Sequence, residues 1–246
     1  MSAPPGSGPK QRLRAEHWAA IRAAGAARFP GVEGRIPNFI GAEAAAAALA
    51  ETPEFQAARV LKCNPDLPQR PVRHAALKAG KVVLLAVPRL RQEHCFLALD
   101  PAVLPPNALW RASSIKGAAE LGRPLMVDAV PRIDLIVSGC VAVDERGARL
   151  GKGGGFADLE YALLHASGAV FPATPVATTA HESQVRGAGD IPRERHDIGV
   201  TIIATPSRII RPDPSPVQPS GLFWDALPVE RRADMPAIAA RAPAGS

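Results

Sequence analysis

A strand that is apolar at every position cannot leave one face to water, and this chain contains such runs. Lys81-Val82-Val83-Leu84-Leu85-Ala86-Val87 continues until Pro88 stops it, and Ile133 to Val143 forms a second run. Ile198 to Ala204 is a third, followed by Arg208-Ile209-Ile210. Strands buried on both faces are covered by helices, which predicts a parallel or mixed sheet in an α/β sandwich. The intervening segments supply those helices. They are Lys10 to about Ala27, with Leu13, Trp18 and Ile21 available for burial, the alanine-rich Gly41 to Glu51, Val72 to Lys78, and Phe156 to Ala166. Arg59 to Lys62 and Pro175 to Thr179 read as shorter strands. The predicted core is aliphatic: 47% of the 246 residues are apolar, yet there are only three Trp, one Tyr and seven Phe.

No repeat and no mid-chain linker divides the sequence, so one domain is expected over 10–211. Residues 1–9 are rich in Pro, Gly and Ser and are expected to be disordered. Prolines crowd residues 212–246, a tail expected to pack loosely or not at all. Cys63, Cys95 and Cys140 are too widely spaced for a zinc site or a disulfide framework. The N-terminus lacks an apolar signal segment, and no run approaches the ~20 residues that span a bilayer. These features predict a soluble, cytoplasmic chain with no membrane contact. The formal charge of +6 suits an anionic ligand, a nucleotide or polyacid, and leaves nucleic acid as a lesser expectation.

The stretch that carries chemistry is Arg149-Leu150-Gly151-Lys152-Gly153-Gly154-Gly155-Phe156-Ala157-Asp158, placed after a buried strand and before a helix. Four glycines in five positions let the backbone approach a ligand and turn N–H groups toward it, and the helix start adds its own free donors. Arg149 and Lys152 add full charges, so the segment predicts a phosphate cradle. It is not a Walker loop, since Gly147 and Gly151 enclose three residues and Gly153 follows Lys152. Nor is it a dinucleotide fingerprint, which needs glycine where Phe156 stands. Asp158 either caps the helix dipole or contacts a Mg²⁺ ion lying between it and a polyphosphate.

At these residues the chain resembles the 5-formyltetrahydrofolate cyclo-ligase family. Arg149-Leu150-Gly151, Gly153, Gly155, Phe156 and Asp158 match the family loop, and Lys10-Gln11-Arg12-Leu13-Arg14 is similar to its opening helix. Ile133 to Val137, Arg195-His196-Asp197-Ile198 and Ile203-Ala204-Thr205-Pro206 look like its later strands. Arg35-Ile36-Pro37-Asn38-Phe39, Val87-Pro88-Arg89-Leu90-Arg91 and Ala157 to Ala162 are closer to the divergent methenyltetrahydrofolate synthase domain-containing branch.

The resemblance implies a three-layer α/β/α sandwich with a mostly parallel sheet, similar to the sugar-phosphate isomerase and CoA transferase fold. It implies ATP, Mg²⁺ and a reduced folate as ligands, and closure of 5-formyltetrahydrofolate to 5,10-methenyltetrahydrofolate through a phosphorylated formyl group. Carried onto this sequence, Lys10, Arg14 and residues 149–156 (Arg149, Leu150, Gly151, Lys152, Gly153, Gly154, Gly155, Phe156) would hold the nucleotide. Lys152 and Arg149 would act in catalysis, and Asp158 would hold the metal.

The chain departs from the family where Tyr-Tyr-Asp-Arg is replaced by Phe156-Ala157-Asp158-Leu159. The pterin-binding glutamate has no clear counterpart, only Asp66 being acidic in Cys63-Asn64-Pro65-Asp66. The alternatives are a paralogue acting on another small heterocycle, a thiamin-related one among them, and a non-catalytic nucleotide- or RNA-binding module. Arg70, Arg73, Arg89 and Arg91 are read either as facing an anionic substrate tail or as solvated surface arginines. His94-Cys95 is read as a buried pair.

Overall fold

The computed structural model describes residues 8–243; of the expected disorder over 1–9, residues 1–7 fall outside it, whereas Gly8 caps a helix that begins at Pro9. In chain order the elements are α1 (Pro9–Ala23), α2 (Ala42–Ala50), α3 (Pro53–Ala57), β1 (Val60–Cys63), α4 (Arg70–Lys78), β2 (Val82–Ala86) and β3 (Phe96–Leu99). Next come α5 (Leu109–Ala112), α6 (Ile115–Leu121), β4 (Arg123–Leu125), β5 (Leu135–Val137), β6 (Ala142–Asp144), β7 (Arg149–Leu150) and α7 (Phe156–Ala166). The chain continues through β8 (Val176–Thr179), β9 (Val185–Arg186), β10 (Ile202–Ala204), β11 (Ile209–Ile210), α8 (Val229–Ala233) and α9 (Pro236–Ala239).

Five strands, β10, β8, β5, β1 and β2, lie side by side in parallel. Antiparallel β3 and β4 extend the sheet beyond β2, and antiparallel β11 closes it beyond β10. Residues along each parallel strand alternate between two cores, as the apolar runs require. Leu84, Ile136 and Ile203 join Tyr161, Leu163 and Leu164 of α7 on one face. Leu85, Val137 and Ile202 meet Leu49 of α2, Val72 and Leu77 of α4, and Ala118 of α6 on the other. The result is a three-layer α/β/α sandwich. Each fully buried Leu or Ile contributes roughly 1.5–3 kcal/mol relative to exposure.

The run from Ile133 to Val143, read as one strand, is two. It leaves the main sheet after Val137 and re-forms as β6 in a separate three-stranded sheet, order β7-β6-β9. Gly139 permits the crossing: a Cβ there would lie 2.7 Å from Gln69 Oε1 and 2.9 Å from Ile36 Cγ2. The glycine-rich turn therefore leaves the small sheet, after β7, and not a strand of the main one. Apolar runs do not report a change of sheet, because both strands are buried.

Three further expectations are corrected. Residues 227–238 of the expected loose tail are docked, with Leu227, Met235, Ala237 and Ile238 buried in the same core as α7. Arg73 is 1% exposed and donates to the backbone oxygens of Asn64, Pro65, Asp66 and Ser113, which satisfies the guanidinium inside the protein. Cys95 is buried, but His94 is exposed. Among the described residues, no helix is long and apolar enough to cross a membrane.

Candidate active site

The glycine turn is anchored at its start by a fully buried carboxylate. Asp144 Oδ1 accepts from the amides of Arg146 (3.0 Å) and Ala148 (2.8 Å), and Oδ2 accepts from those of Gly189 (3.2 Å) and Ile191 (3.3 Å). This fixes the β6–β7 hairpin and sets the direction in which the loop departs. Gly153 (φ 107°) and Gly155 (φ 64°) then take left-handed conformations that favour glycine. Gly155 caps α7 with no side-chain bond, so the first turn of the helix presents free donors. Among the described residues, the amide N–H groups of 151–155 make no hydrogen bond to the protein.

Two ion pairs bracket the loop. Arg149, with its side chain 3% exposed, pairs with Asp158 at 2.6 Å and donates to Gly139 O at 3.3 Å. Burial would lower the Arg149 pKa, but Asp158 outweighs it and the guanidinium is held above its ordinary value. Asp158 Oδ1 also accepts from the amide of Ile198 at 3.1 Å. On the other side, Lys152 Nζ reaches Asp66 Oδ1 at 2.8 Å, with 45% of the lysine side chain exposed.

Helix α1 lies against the loop. Arg14 Nε donates to Gly151 O at 2.7 Å, and its guanidinium carbon is 3.5 Å from where a Cβ on Gly153 would stand. Lys10 Nζ pairs with Asp197 (2.5 Å) and Glu194 (3.1 Å). From the C-terminal segment, Arg231 donates to Gly154 O and places its guanidinium 4.9 Å from the Phe156 ring centroid.

The loop separates two cavities. A polar one of about 210 Å³ is lined by Lys10, Arg14, Arg149, Gly151, Gly153 and Asp158 together with Glu194, Asp197 and Arg231. A larger one of about 560 Å³ has apolar walls from Leu85, Val87, Leu97, Ile115 and Ala118, and Lys152, Gly154 and Phe156 face it. Arg149, Gly151, Gly155 and Asp158 belong to both. Glu160 of α7 also lines the large cavity and forms a buried pair with Lys62 of β1, whose ammonium also reaches Asn64 Oδ1 at 3.4 Å.

The structure thus brings the sequence-selected residues to one place but divides them. Lys10, Arg14, Leu150 and Gly153 line the small cavity, whereas Lys152 turns toward the large one. Sequence reasoning missed Glu160, Glu194, Asp197 and Arg231. The block Arg195 to Ile198 reads as strand in the sequence but lies in the loop before β10, and a carboxylate beside His196 is the available signal. Arg231 gave none, since it lies in the proline-crowded tail.

The α/β/α sandwich carries its glycine loop between a polar and an apolar cavity, and comparison with known proteins assigns the chain to a family. Residues 7–206 match the 5-formyltetrahydrofolate cyclo-ligase family, and the chain belongs to that family of ligases. Among its relatives are methenyltetrahydrofolate synthase domain-containing proteins. That of Mus musculus is 37% identical over 230 residues, covering 93% of this chain and 62% of that protein. That of Homo sapiens is 35% identical over 233 residues, covering 93% and 60%. The chain therefore spans about three-fifths of the length of these relatives. The NMR structure of Aquifex aeolicus 5,10-methenyltetrahydrofolate synthetase shares the fold, with a TM-score of 0.53 at 20% identity, covering 84% of this chain and 94% of that one.

Proposed function

We propose that the chain is an ATP- and Mg²⁺-dependent ligase that closes 5-formyltetrahydrofolate to 5,10-methenyltetrahydrofolate. The observation that carries this reading is the pair of cavities meeting at one glycine loop. The smaller has the cations and open amides that suit a polyphosphate; the larger has the apolar walls that suit a fused heterocycle. Family membership supports the same reading.

In this reaction the formyl oxygen takes the γ-phosphoryl group and ADP is released. N10 then attacks the activated carbon and gives up its proton to solvent, and phosphate leaves with the former formyl oxygen and the electron pair of the broken C–O bond. Such transfer needs positioning and charge neutralisation more than a protein nucleophile. Lys10, Arg14 and the loop amides would hold phosphate oxygens. Arg149 would stand where the cavities join, and Lys152 would approach the transferred group from the large cavity after releasing Asp66.

Mg²⁺, when bound, would neutralise polyphosphate charge. The donor set fits, because this ion keeps most of its waters and needs only one or two carboxylates besides phosphate. The hydrogen bonds of Asp158 run to Oδ1, which leaves Oδ2 for the ion.

A second reading, a paralogue acting on another small heterocycle, draws on one observation: Asp66 and Glu160, which line the large cavity, are both paired with lysines. A coupled assay with ATP, Mg²⁺ and 5-formyltetrahydrofolate separates the two. Methenyl product with stoichiometric phosphate release is expected; ATP binding without product would favour the second reading.

A further inference from the structure

The cations around the small cavity differ in what they already hold. Lys10 is paired with Asp197 and Glu194, and Arg149 with Asp158. Arg14 and Arg231 have no carboxylate within ion-pair distance among the described residues. Each instead donates to a neutral carbonyl of the glycine loop, Arg14 Nε to Gly151 O and Arg231 to Gly154 O, and Arg14 Nη1 also donates to Gln11 Oε1 at 3.1 Å. The two guanidinium groups therefore stand at opposite ends of the same turn, beside loop amides that make no bond to the protein. Burial pushes the pKa of both below the usual arginine range; for Arg14 the nearby Asp197 carboxylate offsets part of this and Arg149 adds to it.

Arg231 reaches this position because the C-terminal segment is held down by its own core contacts. Leu227 is 5% exposed, Met235 1% and Ile238 0%, so the helix carrying Arg231 is docked at both ends. The segment lies beyond residue 206, where the match to the family ends. The guanidinium lies over the Phe156 face and lines both the small cavity and a neighbouring 330 Å³ cleft containing Arg89 and Arg91.

We propose that Arg231 is a phosphate-binding residue, supplied to the glycine loop by the C-terminal segment, and that it acts with Arg14 as a two-sided guanidinium clamp on the polyphosphate. Each clamp arm rests on a loop carbonyl; with polyphosphate bound, each transfers a donor to a phosphate oxygen. The proposal rests on the nucleotide reading above and extends it to a residue outside the family region.

The test is calorimetric titration of the full chain with adenosine, ADP and ATP in Mg²⁺, for wild type, Arg14→Ala, Arg231→Ala and Arg231→Gln. Glutamine can still donate to Gly154 O but carries no charge, so it separates binding from a structural tether. Thermal melting checks that each variant is folded. Charge-assisted bonds of this kind predict that both Arg231 variants weaken ATP binding roughly tenfold or more, with adenosine binding unchanged. ATP affinity kept in Arg231→Gln while Arg14→Ala loses it would overturn the proposal and leave the nucleotide reading standing. Wild-type chain that binds no ATP would overturn both.

Discussion

The two ion pairs that flank the glycine loop are built from the same chemistry and have opposite characters. Arg149–Asp158 is sealed, with 3% and 12% of the side chains exposed, and is tied to the backbone at Gly139 and Ile198. Lys152–Asp66 is half open, with 45% of the lysine exposed, and spans two loops separated by 86 positions. A buried pair costs several kcal/mol to break, because the charge left behind has no water to turn to. An exposed pair contributes at most about 1 kcal/mol and opens readily. One pair fixes where the loop stands; the other can release its lysine to a ligand without unfolding anything.

The largest expected effect breaks the sealed pair. Asp158→Ala strands a buried guanidinium and should cost about 3–5 kcal/mol of stability in urea unfolding, along with any Mg²⁺-dependent activity. Lys152→Ala should leave the urea midpoint nearly unchanged while lowering kcat/KM on the order of 10²-fold, read in the cyclisation assay. If Lys152→Ala instead unfolds the chain, the exposed pair is as structural as the sealed one.

Gly153→Ala comes next. It forces a side chain onto φ 107°, with the new methyl in ordinary contact 3.5 Å from the Arg14 guanidinium, so a loss of about 1 kcal/mol in stability and, through the strained loop, weaker ATP binding are expected. The smallest effect sharpens the comparison quantitatively. A double-mutant cycle on Lys152 and Asp66 should give a coupling below about 1 kcal/mol that shrinks in high salt, against several kcal/mol for Arg149 and Asp158.

Much of the frame was legible in the sequence because burial on two faces leaves an apolar run that needs no partner to be recognised. Leu84, Ile136 and Ile203 fall where those runs place them, and α7 spans Phe156–Ala166 as its pattern predicts. The split at Gly139 was not legible, since a chain crossing between two buried sheets keeps an apolar pattern throughout. Arg73 was indistinguishable from a surface arginine, because its partners are backbone carbonyls, which every sequence has.

The site divides along the same line. Its local part, residues 149–158, is contiguous and was found. Glu160 was passed over although it is only two positions beyond Asp158, because its place in the site depends on Lys62, 98 positions away. Glu194, Asp197 and Arg231 come from segments whose approach to the loop depends on tertiary packing. Lys152 was identified, but the cavity it faces could not be, since a lysine stem reaches either side of a glycine turn.

The central question is whether polyphosphate sits on the open amides of the glycine loop. The direct measurement is an amide ¹H–¹⁵N NMR titration of the chain with Mg²⁺–ATP. The predicted result is large shifts for Gly151, Gly153, Gly154 and Gly155 at the concentrations that saturate binding, with the strand residues Leu85 and Ala86 nearly unmoved. Saturable ATP binding that leaves the loop amides where they were would contradict it and place the nucleotide elsewhere.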